Sequence, residues 1–344
     1  MERNERITTT RKISLSKNFL AVRTTVLVLV GFICAVVSAF LTWYFIQPNG
    51  EIFSQNIRFN TLISDANIKN AVISPNGKYL VLVKEKDDIQ SLLLRQIETN
   101  NIIEIVPKLN GKFIGLSFSP DSEQIFYSVS ENNEGMLYKI PLLGGASQML
   151  VRNIESPAAI SFDNKYLAFI RKNTEGTQNL LVIADIKGKN ERILLSKQSN
   201  NGFSPEGLAW SPNGKNLSLI VSQSENGRQT NQIVIVNSES GEEKMLTKEN
   251  WSWAGQTVWS KDGRGILVPV FRANSPTISD ELWYVSYPDG KAKYLTNGIK
   301  GKLGISLNKE NDSLIALKSE KLTCFLTASL DNFKKSKSRF HQNR

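Results

Sequence analysis

Few residues in this chain are suited to acid–base, nucleophilic or metal chemistry. The 344 residues include one histidine, His341, and two cysteines, Cys34 and Cys324. A Ser-His-Asp triad or a His-rich zinc site needs histidine inside the fold, and a CxxC pair needs two closely spaced cysteines. His341 instead lies close to the C-terminus. We therefore predict no catalytic, cofactor-binding or metal-binding residue.

Most of the net charge lies at the two ends of the chain. The sequence carries 42 Lys and Arg against 32 Asp and Glu, a formal charge of +10. Residues 1–23 hold six basic and two acidic side chains, and residues 331–344 hold five basic and one acidic. Each end thus carries +4, which leaves about +2 for the roughly 300 residues between them. A duplex-binding domain needs a broad basic face, so we predict no nucleic-acid partner.

An uncharged apolar run, 24–46, follows the first basic segment. In a helix, at about 1.5 Å per residue, this run matches the hydrocarbon core of a bilayer, about 30 Å thick. Trp43 and Tyr44 lie near its end, where amphipathic aromatics favour the membrane interface. We predict one transmembrane helix over 24–46. Because basic residues precede it and few follow, the positive-inside rule leaves residues 1–23 in the cytoplasm and the rest of the chain outside it.

Two alternatives accompany the predicted span. Residues 37–39 (Val-Ser-Ala) would suit the cleavage site of a signal peptide, but the apolar run continues beyond them, which favours a retained anchor. Gly31, Ala35 and Ala39 form a small-xxx-small line that would support a weak dimer through the helix. A chance occurrence of small residues in an Ala/Val-rich run is the competing explanation for that line.

After about residue 58 the sequence repeats with a period of 42–50 residues, which is typical of a propeller or solenoid. A large apolar residue precedes a serine in every copy, and Asn or Asp follows two positions later. Proline, Asx and glycine together favour a tight reversal between two strands. The aligned serines are Ser74, Ser119, Ser161, Ser211, Ser260 and Ser306.

The second half of each unit reads as strand, Gly/Asn/Ser-rich turn and strand, so each unit holds four short antiparallel strands. That is one propeller blade. The segment Arg58–Ile63 precedes the first serine and resembles the closing strand of the other units, so it is predicted to join the last blade and close the ring. The predicted fold class is all-β: a six-bladed β-propeller of four-stranded antiparallel blades, preceded by one transmembrane helix.

The repeats resemble the S-P-D-G-K motif of the TolB-like propeller family over roughly residues 58–330. Residues 74–78 and 211–215 (both Ser-Pro-Asn-Gly-Lys) match closely, and 119–121 (Ser-Pro-Asp) match in part. The third, fifth and sixth copies lack the proline, and the sixth carries an insertion. Gly-His and Trp-Asp pairs of WD repeats are missing from the sequence.

The order of features is also similar to the outer half of bacterial membrane sensors. In those families a kinase or winged-helix domain precedes one span and TolB-like repeats follow it. Two segments of this chain carry the resemblance: 91–106 (SLLLRQIETNNIIEIV) and 136–151 (MLYKIPLLGGASQMLV). Residues 1–23 are too short for either cytoplasmic domain, so neither activity is carried over. The resemblance implies the bacterial inner membrane, with the propeller in the periplasm or outside.

Propellers bind partners at loop faces or at the mouth of the central channel. The loops that enter each first strand are expected to gather near the axis, and aromatic side chains there supply much interface energy. Packing of Trp251 and Trp253 between blades is the alternative for those two residues. The predicted partner-binding face comprises Glu155, Phe203, Glu206, Trp251, Trp253, Lys300 and Lys302.

The predicted function is a non-catalytic, membrane-anchored binding or sensor module whose partner is an envelope protein or peptide. Two alternatives remain open: a remnant of a propeller-containing hydrolase or polysaccharide lyase, and a purely structural envelope scaffold. The predicted organisation is a basic cytoplasmic segment at 1–23, a transmembrane helix at 24–46, a linker at 47–57, the propeller at 58–332 and a basic tail at 333–344.

Overall fold

The computed structural model of the chain describes residues 27–39, 42, 60–109, 111–225, 227–272, 280–297, 305–308, 313–319 and 323–329. The chain divides into two units, residues 1–52 and 53–344, and each is described by itself. The basic segment 1–23, the tail 333–344 and the linker 47–57 lie outside the described residues.

In the first unit, residues 27–39 and 42 are helical. The apolar side chains of this segment are exposed; Leu27 and Phe32, for example, are each 69% exposed. Among the described residues, no helix reaches the length and hydropathy that crossing a bilayer requires. The predicted span 24–46 is described only in part, and its transmembrane character and the dimer through Gly31, Ala35 and Ala39 stay predictions.

The second unit is all-β, and its strands form six antiparallel sheets. Sheet 1 holds β2 (Ile68–Ile73), β3 (Tyr79–Lys86), β4 (Ile89–Gln96) and β5 (Ile102–Leu109). Sheet 2 holds β6 (Lys112–Phe118), β7 (Gln124–Glu131), β8 (Glu134–Pro141) and β9 (Gln148–Arg152). Sheet 3 holds β10 (Ala159–Ile160), β11 (Tyr166–Lys172), β12 (Gln178–Asp185) and β13 (Arg192–Gln198), and a short 3-10 helix follows at Ser199–Asn201.

Sheet 4 holds β14 (Phe203–Trp210), β15 (Asn216–Glu225), β16 (Arg228–Asn237) and β17 (Glu243–Met245). Sheet 5 holds β18 (Trp253–Ala254), β19 (Val258–Trp259), β20 (Gly265–Phe271), β21 (Glu281–Ser286) and β22 (Ala292–Asn297). Sheet 6 holds β23 (Ile305–Leu307), β24 (Ser313–Ser319), β25 (Thr323–Ser329) and β1 (Asn60–Ser64). The prediction of an all-β propeller with four-stranded antiparallel blades is confirmed.

The pairing of β1 with β25 joins the beginning of the repeat region to its end. Asn60 pairs with Thr327 and Ser64 with Cys324 in antiparallel register. The closing strand predicted from Arg58–Ile63 is therefore present in the same sheet as the last repeat. This pairing covers the outer edge of β25, which would otherwise expose unpaired backbone groups.

Alternation along the strands explains how the sheets stack. In β3, Val81 and Val83 pack with Ile125 of sheet 2. Leu80 and Leu82, which point to the other face, pack with Ile315 of sheet 6. Successive side chains of a strand point to opposite faces, so a strand buried on both faces reads as a continuous apolar run. Sheet 1 is thus held between sheets 2 and 6.

The repeated serine forms the tight turn that the sequence predicts. In the third copy, buried Ser161 donates its Oγ hydrogen to Asp163 Oδ1 at 2.7 Å and accepts the backbone N–H of Tyr166 at 2.9 Å. The first, second, fourth and fifth copies make the same pair of bonds. The serine hydroxyl therefore ties the first strand of a sheet to the second.

In the sixth repeat the structure differs from the predicted alignment, in which Ser306 was the repeated serine. There Asn308, not Ser306, occupies the turn position: its backbone N–H donates to Ser313 O, and its Oδ1 accepts the N–H of Ser313, each at 3.1 Å. The Ser306 hydroxyl instead accepts the backbone N–H of Ile73 in sheet 1 at 3.1 Å. The asparagine side chain thus replaces the serine hydroxyl as the acceptor in the turn. The Ser306 hydroxyl connects sheet 6 to sheet 1 instead.

We expect Asp163, which lies two positions after the repeated serine, to make the free energy of unfolding depend on pH in acid. The hydrogen bond from Ser161, assisted by the backbone N–H and the ammonium of Lys165, lowers the pKa of the Asp163 carboxyl, while burial opposes the shift. A carboxyl whose pKa is lower in the folded state stabilises the fold above its unfolded-state pKa, and the contribution is lost as the pH falls through the folded value. Thermal unfolding from pH 7 down to about pH 2 should therefore show the advantage of the wild type over Asp163→Asn shrinking in acid. A difference that does not change with pH would contradict this.

Candidate functional site

The innermost strands of all six sheets line one apolar cavity of about 240 Å³, here called the mouth. The mouth lies at the end of these strands that carries the Ser–Asx turns, here called the turn end. The last residue of each innermost strand lines it: Ile73, Phe118, Ile160, Trp210, Trp259 and Leu307. The large apolar residue that precedes the turn in each repeat thus also forms part of the wall of a cavity.

Two tryptophans in this wall are fixed by bonds to the preceding sheet. The indole N–H of Trp210 donates to Ala159 O at 3.2 Å, and that of Trp259 donates to Ala209 O at 3.3 Å. Because the only hydrogen-bond donor of each indole is engaged, both rings present apolar surface to the mouth. Trp259 is buried and Trp210 is half-buried, and each also faces the mouth.

Phe162 is 44% exposed, more than any other aromatic residue in the wall of the mouth. It lies between Ser161 and Asp163, whose mutual hydrogen bond fixes the turn. A few polar side chains accompany the apolar wall, among them Ser117 and Gln256. An apolar concavity with a small number of polar groups is the usual form of a ligand site.

Sequence reasoning missed this mouth because it treated the residues around each serine only as parts of a tight turn. The signal was available in the sequence. Positions directly after the serine hold proline three times (Pro75, Pro120 and Pro212) and phenylalanine once (Phe162). A ring of such residues at one end of a propeller produces an apolar opening.

Three of the predicted site residues meet at the opposite end, here called the loop end, where the innermost strands begin. Glu155 and Glu206 both line a cavity of about 480 Å³. Trp253 donates its indole N–H to Glu206 Oε1 at 3.4 Å, which connects sheets 5 and 4. Glu155 pairs with Lys172 at 3.3 Å. The loop end is therefore more polar than the turn end.

Two other predicted contact residues are buried, which corrects the prediction for them. Phe203 is 3% exposed and packs in the cluster formed by sheets 3 and 4, beneath the Lys197 ammonium. Trp251 is 1% exposed and packs in the cluster between sheets 4 and 5, edge-on to Trp283. Their large apolar side chains fill the space between sheets, so neither reaches a partner. Lys300 and Lys302 lie outside the described residues.

An ion pair between exposed Arg272 and a buried carboxylate, which the sequence did not indicate, lies at the same end of sheet 5. Glu281 is 2% exposed, and Arg272 donates Nε to its Oε2 at 2.9 Å and Nη2 to its Oε1 at 2.8 Å. Trp283 adds an indole N–H bond to Oε2 at 2.7 Å, and the guanidinium lies 5.2 Å from the centroid of that ring. The bonds to Glu281 raise the pKa of Arg272, and burial opposes the shift.

The described residues contain no group of three or more His, Cys, Asp or Glu side chains placed to hold a metal ion.

Solved structures similar to this chain are propellers of diverse proteins. TolB from Acinetobacter baumannii aligns with a TM-score of 0.57 at 15% identity, over 76% of this chain and 63% of the TolB chain. A putative TolB from Agrobacterium tumefaciens aligns with a TM-score of 0.54 at 16% identity, over 76% of this chain and 90% of its own. An oligogalacturonate lyase from Vibrio parahaemolyticus aligns with a TM-score of 0.51 at 13% identity, over 83% of this chain and 94% of its own.

These likenesses show that the chain has the fold of TolB-like propeller proteins. The chain spans 63% of the length of the first of them. No family model matches the sequence, and no curated protein matches it. The similar structures include both TolB proteins and a lyase, so the function has to be inferred from the site.

Proposed function

We propose that this chain is a non-catalytic binding or sensor module that recognises an envelope protein or peptide at the turn end of its channel. The observation that carries the proposal is the apolar mouth to which all six sheets contribute. Its walls are held by strand pairing and by the indole bonds of Trp210 and Trp259. A rigid concavity binds a partner with little loss of its own conformational entropy.

The proposal includes a closed ring of six blades, each formed by one sheet. Support comes from the mouth, whose wall contains residues of β2, β6, β10, β14, β19 and β23. The Ser306 bond to Ile73 and the β1–β25 pairing connect the last sheet to the beginning of the repeats. A ring without exposed sheet edges at its seam is the arrangement that propellers use to stay monomeric.

We further propose that residues 24–46 anchor the chain in the bacterial inner membrane and that the propeller lies outside the cytoplasm. The uncharged run and the basic residues before it support this. Labelling of an engineered cysteine in an exposed loop of the propeller by a membrane-impermeant maleimide, on intact and on lysed spheroplasts, tests the topology. Labelling only after lysis would contradict it.

The test of the binding site uses the full chain, purified in mild detergent, as bait for solubilised envelope proteins of its source bacterium. Phe162→Glu puts a charge into the apolar mouth at an exposed position, and we expect recovery of the partner to fall at least about tenfold. Met149→Glu is the matched control, since Met149 is 42% exposed on β9 and lines neither the mouth nor the loop-end cavity.

A double variant, Glu206→Gln/Trp253→Ala, tests the loop end in the same experiment. Unchanged recovery with this variant and loss with Phe162→Glu would support the turn end. Equal recovery from Phe162→Glu and the wild type would contradict it, and loss with the loop-end variant alone would move the site to the residues first predicted from sequence.

The enzymatic alternative has its own test, because an oligogalacturonate lyase shares this fold. The full chain is incubated with oligogalacturonate and with unstructured peptides, and products are followed by absorbance of the unsaturated sugar and by mass spectrometry. We expect no turnover above a no-enzyme control. Turnover would overturn the non-catalytic proposal. A scaffold without a specific ligand would instead give no partner that depends on Phe162.

A further inference from the structure

A groove runs outward from the apolar mouth between sheets 3 and 4. It encloses about 540 Å³ and shares Phe162, Trp210 and Pro212 with the mouth. Tyr166, 47% exposed, lies in its wall beyond Phe162. Mouth and groove together form one elongated surface on which exposed aromatic rings follow one another.

The backbone that carries Phe162 and Tyr166, and the ring of Trp210, are held in place before any ligand binds. Phe162 lies in the hydrogen-bonded turn between Ser161 and Asp163. Trp210 is held by its indole bond to Ala159 O. Tyr166 belongs to β11 and pairs in register with Asp185. A ligand that stacks here would therefore have to order the rings of Phe162 and Tyr166 but not the backbone that carries them.

The polar groups of the groove are mainly donors. Lys215 is exposed and makes no ion pair among the described residues, and the Tyr166 hydroxyl and the Asn213 side-chain amide also retain N–H or O–H hydrogens to donate. The acceptors are mostly occupied. Asp163 accepts from Ser161, the Lys165 N–H and the Lys165 ammonium.

Further acceptors on the opposite wall are occupied in the same way. Arg192 donates to the backbone carbonyls of Ser238 and Glu239. The Asn213 Oδ1 accepts from Ser211 Oγ and from the Lys215 N–H. The carboxylate of Glu239 is the remaining charged acceptor in the groove wall. A ligand that fits this inventory is rich in acceptors and poor in donors.

We infer that the groove binds an extended, proline-rich peptide segment of the partner protein. Each proline lacks a backbone N–H and keeps its carbonyl acceptor, which matches the available donors of Lys215, Tyr166 and Asn213. The polyproline II helix has no internal hydrogen bonds, and its stiffness lowers the entropy cost of binding in aromatic-lined grooves. The inference rests on the proposed function, since it names the chemistry of the partner segment at that site.

Fluorescence anisotropy with the full chain in mild detergent tests the inference. The probes are fluorescein-labelled decaproline and a (Gly-Ser)5 peptide of the same length. We expect decaproline to bind at least about tenfold more tightly than (Gly-Ser)5, and Phe162→Ala or Tyr166→Ala to weaken decaproline binding by about tenfold. Met149→Ala, a substitution of similar exposure outside the groove, should bind decaproline like the wild type.

Equal affinity for the two probes, or unchanged decaproline binding in Phe162→Ala and Tyr166→Ala, would overturn the inference. Its failure is distinguishable from that of the proposed function. Capture of an envelope protein that depends on Phe162, without decaproline binding, would leave the proposed function standing and refute the proline-rich ligand. Phe162-dependent decaproline binding with capture unaffected by Phe162→Glu would support the groove and refute the envelope partner at this end.

Discussion

Replacement of Gly290 by alanine should destabilise the propeller by at least about 3 kcal/mol. Gly290 lies in the turn between β21 and β22 with φ of +69°, and a Cβ built on it would be 1.9 Å from the carbonyl oxygen of Leu246 in sheet 4. Because the obstacle is backbone, the clash can be relieved only by separating sheets 4 and 5. We expect a large drop in the midpoint of urea unfolding of the full chain.

Gly176→Ala provides the matched control. Gly176 has φ of +70°, almost the same as Gly290, but nothing lies within 4 Å of its added Cβ. This variant should show only the cost of a left-handed conformation for alanine, about 1 kcal/mol. If both variants lost the same stability, the contact between the Gly290 turn and Leu246 would not hold the sheets together.

The same contact recurs between other sheets. Gly188 and Gly241, in the corresponding outer turns of sheets 3 and 4, lie against the carbonyls of Leu150 and Leu194 in the preceding sheets. The outer-turn glycine is therefore a second position, besides the serine, that recurs between repeats. Sequence reasoning noted Gly-rich turns there but had no means of seeing that each turn packs on the backbone of a neighbouring unit.

The second large effect is expected from Arg272→Ala. Glu281 is 2% exposed and accepts two bonds from Arg272, so removing the guanidinium leaves a buried carboxylate with less compensation. We expect a loss of about 2 kcal/mol or more in the free energy of unfolding. The ion pair is only partly screened, because the Arg272 side chain is 42% exposed whereas that of Glu281 is 3% exposed.

Lys165→Ala is the comparison for that loss. Lys165 pairs with Asp163 at 3.4 Å, with side-chain exposures of 70% and 49%, so its removal should cost at most about 1 kcal/mol. A double variant, Arg272→Met/Glu281→Leu, should recover much of the stability lost by Arg272→Ala, because no buried charge remains. Equal effects of Arg272→Ala and Lys165→Ala in urea unfolding would show that burial of Glu281 is not the cause.

The local chemistry of the repeats was enough to predict the fold. Serine, Asx and glycine at fixed spacing predicted the turn, and the second half of each unit was readable as strand, turn and strand. The closing strand was predictable because Arg58–Ile63 resembles the last strand of the other units. The sixth copy was misaligned at Ser306 because the serine was taken as the invariant element, whereas the geometry requires only a side-chain acceptor, which Asn308 supplies.

The site was harder to predict because it depends on packing between units. Phe203 and Trp251 are loop-end aromatics in sequence, yet both fill the space between sheets. Glu155, Glu206 and Trp253 lie at the loop end, where Trp253 donates to Glu206 and both glutamates line one cavity. The groove beside Phe162 and Tyr166 combines residues of two sheets, and no spacing within one repeat reveals it.

Site-specific photo-crosslinking in intact cells tests the proposed binding site most directly. The full chain is expressed with p-benzoylphenylalanine in place of Phe162, of Trp253 or of Met149, and adducts formed on irradiation are identified by mass spectrometry. We predict a discrete adduct with one envelope protein from position 162 and none with that protein from positions 253 and 149. The same adduct from all three positions, or an adduct from position 253 alone, would contradict recognition at the turn end of the channel.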